Sequence, residues 1–318
     1  MNYFLRGGSR IIISTSTNVY TNLALERFLA ENIQHQPKSK LLILWRNSPS
    51  IVIGRYQNPY VESNLNYLFE NNILLSRRYS GGGTTYHDEG NLNLTILTTR
   101  DNYNRRKNLE WLVSTINDSY VNKFSLHITK RDDIILEDSI NKQQYKITGS
   151  ASRLTRTYAY HHFTLLINTN LNHLRQSLKS NDRFSIKSNA TESIRSSVTC
   201  LSNYESTIQY ETLIDILAKS FWKQNQQTKW GSDYLYDYID PQLFQNQLKQ
   251  FIDELKSDYF LYEVTPPFTY TILAHNNRTI EFSIKNGIIE DIKNSNKDEY
   301  EKFYHKQFYL MYNDIKQL

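Results

Sequence analysis

The chain has 318 residues, 39% of them hydrophobic, and carries 37 lysines and arginines against 32 aspartates and glutamates. That length suits about two domains and a sizeable core. The net charge of +5 favours anionic ligands or an acidic partner and is too small to point to nucleic acid; no run of ~18 apolar residues is present to span a membrane, and the single cysteine, Cys200, excludes an internal disulfide.

The N-terminal stretch carries Arg6 and Arg10 and no acid before Glu26, with Ser and Thr clustered from Ser9 to Thr17. It fits a short targeting segment over 1–17 as well as an ordinary N-terminus. Ser16 or Thr17 is the expected cap of a helix to about Asn32, with Val19, Leu23 and Phe28 on one face. LLILW (41–45) and SIVIGR (50–55), joined through Asn47-Ser48-Pro49, read as a hairpin or paired strands. Residues 61–71 read as helix. Asn91 to Thr98 alternate, with Leu92, Leu94 and Ile96 on one face of a strand.

Residues 108–120 read as helix, and DIILED (133–138) with QQYKIT (143–148) as a second hairpin. HHFTLLIN (161–168) alternates again, with Phe163, Leu165 and Ile167 facing one way and Thr164 the other. Helices are expected near 170–179, 210–224 and 241–256. After Pro266-Pro267, FTYTILA, TIEFSIK and GIIEDIK read as strands. The order predicts an α+β fold: a mixed, largely antiparallel sheet with flanking helices, and a small C-terminal α+β appendage. The expected division is a targeting segment at 1–17, a catalytic domain at 18–245 and an accessory domain at 246–318.

Three of the chain's 10 glycines stand together in RRYSGGGTTYHDEGN, residues 77–91. Consecutive glycines let a ligand approach the main chain, and Arg77 and Arg78 supply forks suited to phosphate or carboxylate. The loop is neither common phosphate-binding type: no lysine follows as in GxxxxGK[ST], and Tyr86 stands where GxGxxG requires its last glycine. Taken alone, the triplet fits a tight turn as well as a ligand contact. His87-Asp88 is expected to fix this loop by hydrogen bonds. His87, His161 and His162 lack the Cys or carboxylate spacing of a zinc site, so no metal site is predicted, although Asp88 and Glu89 are available to Mg²⁺. No GxSxG is present and Cys200 pairs with no motif histidine, which argues against a cysteine nucleophile.

RRYSGGGTTYHDEGNLN (77–93) resembles the signature of lipoate-protein ligases and lipoyltransferases. SPSIVIGRYQNPYVE (48–62), YKITGSASRLTRTYAYHHFTLLIN (145–168) and SNATESIRSSV (188–198) resemble further blocks of that family, in its order, over about residues 18–200. NSPSIVIGRYQNP, SNATESI, TKRDD and Tyr86 are most similar to the mitochondrial branch of the family.

The resemblance implies the catalytic fold shared by biotinyl and lipoyl protein ligases. It also implies transfer of a lipoyl group from lipoyl-AMP to a lysine of a carrier domain. Lys146 then corresponds to the family lysine that contacts both the acyl carbonyl and the phosphate. Arg78 and the main chain at Gly83, Thr84, Thr85 and Tyr86 correspond to ATP or adenylate contacts, with Gly81 and Gly82 letting the ligand lie against the backbone. Tyr86, Arg131, Lys146 and Thr164 correspond to lipoyl-adenylate contacts. Ile194 and Ser196 fall in an adenylate-side loop, Ile194 where the branch has a threonine. The lipoyl tail needs an apolar channel, for which Trp45, Ile53 and Leu94 are available walls. The implied partners are lipoyl domains of 2-oxoacid dehydrogenase E2 subunits and the glycine-cleavage H protein. The implied location is the mitochondrial matrix, and a monomer is the simplest expectation, with no nucleic acid or membrane partner. ATP and Mg²⁺ enter only if the enzyme also makes the adenylate.

Overall fold

The strand Arg10–Ser14 is buried at all five positions, which suits its central place in a sheet. It lies parallel to Lys40–Trp45 on one side and to Asp237–Ile239 on the other. The computed structural model describes residues 10–33, 39–138, 142–225, 236–274, 278–293 and 300–317. Residues 1–9 of the expected targeting segment lie outside the described residues, whereas Arg10–Ser14, placed in that segment by the sequence, is this strand.

The chain forms two compact units that alternate along the sequence. One comprises 1–50, 85–174 and 194–252; the other comprises 51–84, 175–193 and 253–318. The first holds a six-stranded mixed sheet in the order Ser150–Leu154, Tyr158–Leu166, Asn91–Thr99, Lys40–Trp45, Arg10–Ser14, Asp237–Ile239. Its first four strands pair antiparallel and the last two join parallel. Antiparallel Ser125–Ile128, Ile134–Glu137 and Gln144–Lys146 make a smaller sheet in the same unit.

Helices Val19–Asn32, Arg105–Ser119 and Tyr210–Asn225 flank these sheets. Leu109, Leu112 and Ile116 of the second and Leu213, Leu217 and Phe221 of the third share one core with Leu92, Leu94 and Phe163. That i, i+3, i+4 spacing is what buries one face of a helix. The cap of the first helix differs from expectation. Asn18 accepts from the N–H groups of Tyr20 and Thr21, while Ser16 Oγ accepts from Asn18 N–H.

The expected hairpin between 41–45 and 50–55 does not form. Lys40–Trp45 pairs instead with Asn91–Thr99 and Arg10–Ser14, and Ser50–Ile53 joins a different sheet beside Leu74–Arg77. The turning residue Asn47 is fully buried and accepts from Asn22 Nδ2, so it directs the chain away from a hairpin. The predicted hairpin at 133–148 is present, residues 139–141 lying outside the described residues.

The second unit holds an antiparallel sheet of Ile186–Ser188, Phe268–Leu273, Thr279–Lys285 and Ile288–Lys293. Its core joins Phe268, Tyr270, Phe282 and Ile284 to Phe308, Tyr312 and Ile315 of the helix Phe308–Lys316, which the sequence pattern did not indicate. The predicted helix at 61–71 is two short ones, Pro59–Glu62 and Leu65–Glu70, each capped by an asparagine, Asn58 and Asn64.

Arg77 ties this unit together. Its side chain is fully buried. Nε donates to Phe260 O at 2.7 Å, Nη1 to the carbonyls of Gly54, Arg55 and Gln57, and Nη2 to Leu261 O and Thr265 Oγ1. Burial pushes the guanidinium down to about 9, and the ring of carbonyl dipoles balances the charge that remains at neutral pH.

Arg77→Met strips the donors from several buried carbonyls at once and is expected to cost at least ~3 kcal/mol in urea-midpoint stability. His161 is fully buried, and burial, Arg105 and His162 hold its imidazole down to about 3. It is therefore neutral in the native chain, while the unfolded chain protonates near the ordinary value of ~6.5. Its contribution is intact above that value and is lost as pH falls from there toward about 3. His161→Gln should flatten the stability–pH slope in that window by up to ~1.4 kcal/mol per unit, read from urea midpoints across pH.

Candidate active site

Lys146 stands at the end of the strand Gln144–Lys146 and is held on both sides. Ile135 faces it across the hairpin; on the other side its N–H donates to Ser197 O at 2.9 Å, beside a parallel bridge to Val198. The side chain is about a quarter exposed, and its ammonium lies 2.6 Å from Asp133 Oδ1. Beyond it the backbone runs against the strand Tyr158–Leu166, with Leu166 N–H donating to Ile147 O and Thr164 N–H to Gly149 O.

Gly149 and Thr164 lock together at this point. Gly149 N–H donates to Thr164 Oγ1 at 2.8 Å. A Cβ on Gly149 would stand 2.9 Å from Thr85 Cγ2 and 3.4 Å from Thr164 Oγ1, so only glycine fits without displacement. The polar order continues through Thr85 and His87. Asn47 Nδ2 donates to His87 Nδ1 at 3.0 Å. His87 Nε2 therefore carries the proton and donates to Thr85 Oγ1, also at 3.0 Å. The first unit thus joins the segment after Lys146 to Thr164 through hydrogen bonds at Gly149, with the Thr85 methyl beside Gly149 and the Thr85 hydroxyl bonded separately to His87. Tyr86 follows as a buried residue.

Other expected residues are placed differently. Arg131 is exposed. Its acidic neighbours face elsewhere: Asp132 pairs with Arg105 and Arg106, and Asp133 with Lys146. Ile194 is 65% exposed and Ser196 is exposed. Trp45 and Leu94 are interior residues; the indole donates to Thr95 Oγ1, and Leu94 belongs to the main core. Ile53 is buried in the second unit.

Asp88 holds a different loop from the one expected. Its two oxygens accept from the N–H groups of Gly90 and Asn170, and burial raises its carboxyl. These backbone bonds fix its orientation toward the loop at 90 and 170. His162 Nδ1 is bonded to Glu26, which also accepts from Thr95 Oγ1. Cys200 is buried, donates to Thr169 O, and is pushed up to about 11 by burial, which suits an inert thiol.

The glycine triplet lies in the second unit, and Arg78 shapes it. Its Nη2 donates to Gly81 O and Gly83 O, both at 2.7 Å, Nη1 to Val52 O and Nε to Ser80 Oγ. Gly82 has φ +88°, and a Cβ on Gly54 would lie 2.1 Å from Gly82 O. The forks of Arg77 and Arg78 are therefore directed to main-chain carbonyls of their own unit. Sequence reasoning missed the residues that fix the loop's far end. Ser193 Oγ accepts from Thr84 N–H at 2.8 Å and from Gln57 Nε2 at 3.0 Å. Glu62 accepts from Ser193 N–H and Thr84 Oγ1, and Gln57 Oε1 from Gly54 N–H and Thr84 Oγ1. Gln57, Glu62 and Ser193 sit inside the blocks already quoted, but nothing in their spacing says they meet.

Comparison with known proteins gives this arrangement a lineage. Residues 18–222 match the model of the lipoyl protein ligase A/B catalytic domain. The chain is 40% identical over 287 residues to the mitochondrial lipoyl amidotransferase of Mus musculus, covering 88% of this chain and 74% of that one. It is 30% identical to a lipoate-protein ligase A of Psychrobacter cryohalolentis, over 89% of this chain and 81% of that one. The crystal structure of P. falciparum LipL1 in complex with lipoate superimposes with a TM-score of 0.66 at 27% identity, covering 94% of this chain and 90% of that one. The chain belongs to the lipoyl protein ligase A/B catalytic family.

Proposed function

We propose that this protein is a lipoyltransferase that moves a lipoyl group from lipoyl-AMP to a lysine of lipoyl domains. Residues 18–245 form its catalytic segment and 246–318 an accessory one. The observation that carries the reading is Lys146: a partly exposed ammonium on a strand held from both sides, next to the glycine lock at 149. The acceptors are E2 lipoyl domains of 2-oxoacid dehydrogenases in the mitochondrial matrix. Lipoylated glycine-cleavage H protein is an alternative donor, and the enzyme acts as a monomer. The mitochondrial name of the mouse relative supports the compartment.

The donor is a mixed anhydride. The neutral acceptor amine attacks its acyl carbon; the new N–C bond forms, the C–O bond to phosphate breaks, AMP leaves with the bonding pair, and the amine gives up one proton. Charge develops first on the acyl oxygen and then on the phosphate. The Lys146 ammonium stabilises both, an effect on the order of 3 kcal/mol for one well-placed donor. Thr164, Thr85 and Tyr86 contact the donor in this reading, together with Arg131, Ile194 and Ser196. Gly81, Gly82, Gly83 and Thr84 lend backbone to it, with Arg78 holding their conformation. Lys146→Ala is expected to lower kcat for transfer from lipoyl-AMP by ~10²–10³-fold. Parent-like turnover would remove Lys146 from the mechanism.

A complete ligase that also makes the adenylate is the second reading, favoured by the 30% identity to a bacterial lipoate-protein ligase A. Free lipoate, Mg-ATP and acceptor domain separate the two. We expect little lipoylation there and ready lipoylation when lipoyl-AMP is supplied; robust ligation from free lipoate would replace transfer by ligation.

A further inference from the structure

Building on the role given to Lys146, the geometry points to Asp133 as its positioning residue: the carboxylate takes one N–H of the ammonium and thereby aims the other two at the donor's acyl oxygen and phosphate. A lysine ammonium has three donors and rotates freely about its last bond. The reaction asks two of those donors to meet two oxygens at once. Asp133 Oδ1, at 2.6 Å, accepts the third and stops the rotation.

Both partners are mounted on fixed backbone. Asp133 precedes the strand Ile134–Glu137, which pairs with the strand of Lys146 itself. The turn before it is closed by Thr129 N–H to Asp133 O at 2.9 Å and by Asp133 N–H to Thr129 Oγ1 at 3.1 Å. Asp132 takes the left-handed φ of 58° and turns its carboxylate to Arg105 and Arg106. Of two adjacent acids, the fold commits one to a surface pair and the other to Lys146. The side chains of Lys146 and Asp133 are 24% and 28% exposed, so solvent screens the pair only in part while a ligand can still reach it. A contact this close, and open to a ligand, is suited to aligning the ammonium.

The test is steady-state transfer from lipoyl-AMP to an acceptor lipoyl domain by the full chain. Asp133→Ala should lower kcat by about 10–100-fold with KM for lipoyl-AMP unchanged or lower, because the released ammonium still binds the donor but no longer aims both donors in the transition state. Asp133→Asn keeps an oxygen acceptor in nearly the same shape and should recover part of kcat. Thermal melts of both should match the parent; if Asp133→Ala melts early, the near-isosteric Asp133→Asn decides, with a kcat loss at constant KM as the expected result. A kcat within about twofold of the parent, or a loss that lies wholly in KM, overturns the proposal. Lys146→Ala is run alongside. If it turns over like the parent, the reading of the site fails; if it is inactive while the Asp133 variants keep kcat, only the positioning role fails.

Discussion

The exchange between Gly149 and Thr164 is the constraint on which the first unit's site depends. Thr164 N–H donates to Gly149 O, and Gly149 N–H returns a bond to Thr164 Oγ1. These bonds hold the segment leaving Lys146 against a strand buried at all nine positions. A Cβ at 149 would crowd the Thr85 methyl, so any other residue here displaces its neighbour. Lys146 is three residues away along an extended segment. Its backbone position relative to Thr164 is therefore set by main-chain bonds, and the aim of its flexible stem is left to side-chain contacts such as the one with Asp133.

The second unit solves a related problem by the opposite means. It buries a guanidinium and surrounds it, among the described residues, with the carbonyl oxygens of Gly54, Arg55, Gln57, Phe260 and Leu261. Burying an uncompensated cation costs several kcal/mol, and carbonyl dipoles repay it only with good geometry. Arg78 repeats the device on a smaller scale across the glycine loop. Two adjacent arginines read in isolation as an anion clamp. Here their guanidinium groups donate to main-chain carbonyls, that of Arg78 bracketing the glycine loop at Gly81 and Gly83.

Much of this was legible in the sequence. Helical spacing at 108–120 gave a real element because burial on one face imposes that period; 91–98 and 161–168 are strands as read, but both of their faces are buried, so the alternation there reflects apolar and polar residues sharing the interior. The partners of each strand were not legible. LLILW and SIVIG lie close in sequence and look like a hairpin, yet Lys40–Trp45 is buried on both faces and needs neighbours on both edges, which Arg10–Ser14 and Asn91–Thr99 supply. RIIIS carries no alternation, so a central strand looked like part of a leader. At the site, Lys146, Gly149 and Thr164 were marked by their motif. Asp133, Gln57, Glu62 and Ser193 were not, since their roles rest on contacts such as Asp133–Lys146, Gln57–Thr84, Gln57–Ser193 and Glu62–Ser193, made between residues far apart in the chain.

That difference has a physical basis. The residues proposed to meet a ligand are recognisable from local chemistry: a lysine beside small residues, glycines in series. Residues that hold those groups in place do so by polar bonds to distant backbone, and many side chains can accept one N–H. Ser193 is such a case. Its hydroxyl accepts from Thr84 N–H and Gln57 Nε2 while its own N–H is taken by Glu62, so one small residue closes a ring that immobilises the end of the glycine loop. Groups fixed before a ligand arrives need no reorganisation when charge develops, and that prior order is where an enzyme's electrostatic stabilisation originates. In the proposed reaction the supporting polar contacts would thus matter as much as the lysine does, although only the lysine announces itself in the sequence.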